Sequence, residues 1–401
     1  MSNVEFAERR VLWLRRWFSG VAVALLLASW KLWIPASSFP MVPFFAGLTD
    51  VPFWIDGFVA ASMLIAVLAG ALDDSRRFSG WLGLFLLALI ASVLLNQHRL
   101  QPWALHLSLV AGAMLFRSAI VTLLAIQCLT ISIYFYSGIS KLDYQFVHST
   151  GSEMIVALGT IFGLDLKATL QGHLPSAAMC LGVLELVIAF FLAIRWTRKI
   201  GVAMAVVMHL VLILVLSPLG LNHQWPVLIW NAFFLLQTWI GFANLGNVEP
   251  VKTNWYQWGL IALVVVFPAT RWNGWCDHWP AWELYAPRNS RIELRVNELP
   301  DELEPFAEQG MKSSGVVDLN AWSLHELGVP IYPESRFQLG VAWRLVADEN
   351  FDGFQCQILS ESDRFSGERI LIGCLTRESD FARFAERFRL NVNPRRSFGQ
   401  R

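Results

Sequence analysis

Long apolar runs broken by short polar joints fill the first two thirds of the chain. A helix rising 1.5 Å per residue needs about 20 mostly apolar residues to cross the hydrocarbon core of a bilayer. Such runs lie near residues 17–35, 56–73, 79–96, 101–116, 118–140, 173–194, 200–217, 224–243 and 254–270. The fourth is short, set off from the fifth by Arg117, and fits a re-entrant or tilted segment. The weaker stretch 148–166 contains Gly151, Gly159 and Gly163 and is expected to be an interfacial helix. Beyond 270 the pattern changes. Ile292–Val296, Phe337–Leu345, Phe354–Leu359 and Arg369–Leu375 alternate with period two, as half-buried strands do, and helical patterns lie at 300–309 and 378–388. The expected architecture is an all-α polytopic membrane bundle of about nine transmembrane helices over 1–270, followed by a small soluble α+β domain over 271–401.

Composition strengthens the membrane reading. Hydrophobic residues make up 55% of the chain and charged residues 15%. A soluble domain carries about 25% charged residues. Net charge is zero, which gives no basis for a nucleic-acid partner. Many of the 19 tryptophans lie at the ends of apolar runs, where an aromatic belt would sit. The N-terminus has the basic group and apolar run of a signal peptide. Trp30, Lys31 and Trp33 then stand where a small-residue cleavage site would be, so a retained first span is expected.

Orientation follows from Lys and Arg in the short joints. With the N-terminus inside, the cytoplasmic segments hold 11 such residues: Arg9, Arg10, Arg15, Arg16, Arg76, Arg77, Arg117, Arg195, Arg198, Lys199 and Lys252. The outer joints hold three: Arg99, Lys141 and Lys167. A bacterial inner-membrane protein with a cytoplasmic N-terminus and an extracytoplasmic C-terminal domain is expected. None of the five cysteines forms a CxxC pair. Cys356 and Cys374 lie symmetrically about Phe365, so a hairpin there could carry a cross-strand disulfide or two free thiols.

Ionisable residues inside spans are costly and mark candidate chemistry. Tyr134, Gly138 and Lys141 fall at i, i+4 and i+7 on one helix face, with Ser137 and Gly138 allowing close approach of a helix or ligand. A lysine deprived of hydration can act as a base near neutral pH, and a snorkelling lysine is the structural alternative. Glu185, near the middle of its run, must be protonated or paired, with Lys31 or a histidine as candidate partners. His209 lies deep, while Lys31, His98, Lys141 and His223 fall toward the outer side, as around a pocket that opens outward.

The string Tyr134-Phe135-Tyr136-Ser137-Gly138-Ile139-Ser140-Lys141-Leu142-Asp143 resembles a motif of the vitamin K-dependent gamma-carboxylase superfamily, whose bacterial relatives are the HTTM proteins. Asn96-Gln97-His98, and Met208-His209 with Pro218-Leu219-Gly220 and Asn231, resemble further family segments in the same order. The resemblance covers roughly 80–245. It implies nine spans, a lumenal C-terminus and a quinol or lipid-like substrate, with Lys141 as base and His98 and His209 lining the site; Tyr134, Gly138 and Glu185 are then candidates to contact the substrate. The chain departs from the family at Ser140, at Tyr144-Gln145-Phe146 and in its short C-terminal part, which bears against carboxylation of glutamate. The Gly-x-x-Lys-Leu string also resembles that of the smaller, redox-associated DoxX/MauE-like proteins. A non-catalytic membrane module whose C-terminal domain binds a protein partner is the other expectation.

Overall fold

The computed structural model describes residues 2–35, 38–73, 77–242, 253–285, 287–301, 303–307, 315–349, 351 and 353–395. Arg76 and Lys252 from the charge count lie outside these, as do 302, 308 and 309 of the expected helix at 300–309. The chain divides into two compact units. Unit 1 comprises Met1–Ala28, Met63–Leu87 and Pro102–Pro287, and so runs on past residue 270. Unit 2 comprises Arg288–Arg401 together with two early segments, Ser29–Ser62 and Ala88–Gln101.

The helices run α1 (Asn3–Ala28), α2 (Trp30–Trp33), α3 (Trp54–Leu72), α4 (Phe78–Leu95), α5 (Pro102–Met114), α6 (Ala119–Lys141) and α7 (Tyr144–His148). They continue with α8 (Thr150–Ile161), α9 (Leu166–Leu170), α10 (Leu174–Ala193), α11 (Arg198–Leu216), α12 (Trp225–Gly241) and α13 (Trp255–Val266). Six described helices are long and apolar enough to cross a membrane, as in a multi-pass membrane protein: α1, α3, α4, α6, the stretch Leu166–Ala193, and α11. At three further expected positions the helices are shorter: α5, α12 and α13 have 13, 17 and 12 residues. Thirteen residues rise only about 20 Å against a core of about 30 Å.

Polar side chains at the joints start several helices by accepting the free N–H groups of the first turn. Ser118 caps α6, Asp143 caps α7 and Asp165 caps α9. In unit 1, α6 is the most buried of the candidate spans, packing against α1, α10, α12 and α13. Its contact with α10 is backbone to backbone. A Cβ at Gly138 would lie 2.9 Å from the Gly182 carbonyl oxygen, and one at Gly182 would lie 3.0 Å from that of Gly138. Only glycine on both helices allows this approach.

Unit 2 contains a four-stranded antiparallel sheet in the order β2-β1-β3-β4, from β1 (Arg291–Val296), β2 (Val316–Val317), β3 (Phe354–Leu359) and β4 (Leu371–Leu375). On β1 the alternation works as expected: Ile292, Leu294 and Val296 are buried. The helices are α14 (Leu319–Leu327), α15 (Ser335–Glu349) and α16 (Glu378–Ala385). The strand expected at Phe337–Leu345 is instead the middle of α15. Phe337, Val341 and Leu345 satisfy both periods, because a spacing of four residues is two strand repeats and also about one helical turn. The helix is buried nearly all round, with Leu339, Gly340 and Ala342 also inside, so one alternating face was never its requirement.

The thiols of Cys356 and Cys374 are free. The hairpin register explains this: Cys356 faces Leu375 and Cys374 faces Gln357, so the two cysteines project to opposite sides of the sheet. Cys356 is buried and its thiol is pushed up to about 12 by burial, whereas Cys374 is exposed. In the native protein without reductant, a thiol-alkylating reagent should label Cys374 readily and Cys356 only after unfolding. Peptide mass spectrometry that recovers the two as one linked pair would contradict this register.

Candidate functional site

One face of α6 carries polar residues that the bundle buries: Gln127, Thr130, Tyr134, Ser137 and Lys141. Their spacing of three and four residues keeps them in one stripe. Opposite the last part of the stripe stand Glu185 on α10, Met208 and His209 on α11, and Trp230, Asn231 and Phe234 on α12, with Leu284 and Tyr285 closing the space. The cavity among them is about 30 Å³, narrow enough to admit a hydroxyl group or about one or two water molecules.

Two hydrogen-bonded sets line it. In the first, Lys141 Nζ donates to Glu185 Oε2 at 2.9 Å and to Ser137 Oγ. The expected partners of Glu185, Lys31 or a histidine, are thus replaced by Lys141. The Gly138–Gly182 approach accounts for this, because each charged residue lies three positions after one of these glycines. Lys141 and Glu185 are both buried, and a pair of this kind holds only with close geometry.

In the second set, Asn231 Nδ2 donates to the Val227 carbonyl at 2.9 Å, which leaves Oδ1 as the acceptor facing His209. His209 therefore carries its proton on Nδ1, donates it to Asn231 at 3.0 Å, and accepts from the Tyr134 hydroxyl on Nε2 at 2.8 Å. The imidazole is neutral and its tautomer is fixed by the amide behind it. Burial raises the Tyr285 phenol above its ordinary range, so it remains a hydroxyl. Nearby, Trp230 Nε1 donates to His106 Nδ1 at 2.9 Å, and the rings of Phe233, Phe234 and Trp282 surround His106.

The structure thus places Lys141, Tyr134, Glu185 and His209 around one cavity, with Gly138 at the helix crossing beside it. His98 belongs to unit 2. There its Nε2 donates to the Pro330 carbonyl at 3.0 Å, and its ring packs between Phe39 and Phe337. It is fully buried, and burial lowers its pKa to about 4. Sequence reasoning did not single out Trp230 or Tyr285. Tyr285 lies beyond the expected limit of the bundle. The stripe from Gln127 to Lys141 was a readable signal, since five polar residues at one helix face in an apolar run require partners.

No family model, curated protein or solved structure matches the chain. Among the described residues no group of three His, Cys, Asp or Glu side chains is placed to hold a metal ion.

Two outcomes follow from this geometry. Gly182→Val should force α6 and α10 apart, destabilise the protein by about 1–3 kcal/mol in thermal unfolding, and speed modification of Lys141 by an amine reagent. A variant as stable and as unreactive as wild type would remove the helix crossing as the cause of the Lys141–Glu185 pair. For His98, the folded pKa of about 4 lies below the ordinary 6.5. The unfolded chain therefore takes up the proton first as pH falls, and stability present above pH 6.5 is lost on the way to pH 4. The loss amounts to about 3 kcal/mol, and unfolding followed against pH should show a shallower slope in His98→Gln.

Proposed function

We propose that this chain is a nine-span membrane enzyme related to the gamma-carboxylase and HTTM proteins, which uses Lys141 as a base toward a quinol or lipid-like substrate. Its N-terminus is cytoplasmic and its C-terminal domain extracytoplasmic, in a bacterial inner membrane. Two observations support the topology. The described residues of 29–53 and 96–101, the joints after α1 and α4, belong to unit 2 with the described residues of 288–395, which puts them on one side of the membrane. The chain between 101 and 288 must then cross an even number of times. Within it α6, Leu166–Ala193 and α11 give three crossings, so one or all of α5, α12 and α13 are needed, and nine spans use all three. Exposed tryptophans at helix ends, Trp54, Trp196, Trp225 and Trp255, also suit headgroup level.

The observation that carries the chemistry is the Lys141–Glu185 pair at the Tyr134–His209–Asn231 cavity. One proton passing across the 2.9 Å contact converts ammonium and carboxylate into amine and carboxylic acid. The amine then takes the proton of a substrate hydroxyl, leaving an oxyanion in a site closed to bulk water. The cavity is too narrow for a ring, so the reacting oxygen alone reaches Lys141 while the substrate body remains at the mouth.

Lys141→Arg tests this reading. Guanidinium stays protonated and cannot accept the proton. The variant should accumulate at wild-type level, yet lose spectroscopically detected deprotonation of a short-chain benzoquinol and fail to complement a deletion strain. Wild-type behaviour of Lys141→Arg in both would end the base assignment. Reporter fusions after residue 80 should read cytoplasmic and fusions after 280 extracytoplasmic.

A second reading, a membrane module that binds a protein through its C-terminal domain, is favoured by one feature. The edge strand β4 and its approach leave Phe365, Ile370, Leu371 and Ile372 exposed. An edge of that kind can accept a further strand.

A further inference from the structure

We propose that the cavity beside Arg395 in unit 2 binds an oxyanion, the phosphate or carboxylate group of a lipid headgroup or of a free solute. Asp56, at the start of α3, is fully buried and accepts from two arginines: Arg99 Nη1 at 2.6 Å on Oδ1 and Arg395 Nη1 at 2.8 Å on Oδ2. Two buried guanidinium groups therefore share one carboxylate. Arg99 directs its other N–H groups to the carbonyls of Leu32, Trp33 and Ser92. Arg395 gives Nη2 to the Val51 carbonyl and lies over the Phe53 ring, and its Nε has no partner among the described residues. Carbonyl oxygens and a ring face orient a cation without neutralising it, and a buried charge in excess requires a counter-charge.

The cavity beside this cluster supplies the room. It measures about 210 Å³ and is lined by Arg395, Lys31, Arg344 and Asp348 among its charged residues. Arg344 is balanced by Asp348 four residues on. The Lys31 side chain forms no hydrogen bond or ion pair with the described residues. The wall therefore carries two positive charges in excess, one buried at Arg395 and one exposed at Lys31. Guanidinium and ammonium groups facing one space suit an anion with several oxygens. The remaining lining includes Leu32, Phe39, Met41, Phe53 and Leu327, which suits an oxyanion attached to an apolar body. The proposal is independent of Lys141.

The test uses the full-length protein in a neutral detergent. Thermal unfolding is followed while inorganic phosphate replaces chloride at constant ionic strength, and separately with dihexanoyl phosphatidylglycerol against dioctanoylglycerol, which lacks phosphate. Saturable stabilisation by phosphate and the phospholipid supports the proposal with a free solute as sufficient ligand; stabilisation by the phospholipid alone supports it with a headgroup as the source. Lys31→Gln should raise the half-saturating concentration about tenfold, the loss of one charge-assisted contact. Arg383→Gln, at an exposed position on α16, should leave it unchanged. Should Lys31→Gln not fold, protection of Lys31 from acetylation by saturating phosphate in the wild type replaces it. No saturable response to either probe, an equal response to dioctanoylglycerol, or neither a shift in Lys31→Gln nor protection of Lys31 would overturn the proposal.

Discussion

A carboxylate with no access to water must have its charge answered within hydrogen-bond reach, and at Asp56 the answer comes from two distant parts of the chain. Arg99 is 43 residues away in sequence and Arg395 is 339 away. Meeting that requirement ties the start of α3 and the end of α4 to the far C-terminal segment, and unit 2 is the body that results. Neighbouring contacts follow the same path. Gln97 donates to the carbonyls of Pro43 and Asn391, and Arg395 N donates to that of Met41. Removing Asp56 would leave two buried cations facing each other, a far larger cost than the loss of a surface pair. Lys141 and Glu185 obey the same rule inside the bundle, with one charged partner each instead of a shared one.

Much of this was legible in the chain. Apolar runs placed a helix at each expected position, because burying or lipid-facing an uninterrupted apolar stretch leaves the backbone few ways to satisfy its own hydrogen bonds. Run length was a poorer guide to helix length: α5 and α13 end earlier than the apolar residues do. The strand pattern was correct where one face of the sheet is covered and failed at α15, where both periods fit the same residues. The early segments of unit 2 were illegible for a different reason. Nothing local at Asp56 distinguishes it from an interfacial acid, and the partners that bury it lie elsewhere in the sequence.

The candidate site was legible in part. Polar residues in apolar runs pointed to Lys141, Glu185, Tyr134 and His209, and the structure gathers these four. Pairing was not readable, since it depends on where two helices touch, and Gly138 and Gly182 decide that. His98 drew attention by its place after a span, but its surroundings are those of a packed core residue, with a carbonyl for its one proton and aromatic rings on either side.

The polar stripe on α6 also constrains motion. Along it Gln127 donates to the Gly241 carbonyl, Tyr134 to His209 and Lys141 to Glu185, and from another face of the helix Ser132 donates to the Val264 carbonyl, so contacts at four levels are made to four different neighbours. Rotation of the helix by one residue, about 100°, or a slide by one rise of about 1.5 Å, would break all of them at once and turn polar atoms toward lipid with nothing to receive them. The helix is thus indexed like a key in a lock with four wards. Any movement that admits a molecule to the cavity has to come from the elements around α6, with α6 as the fixed axle against which they turn.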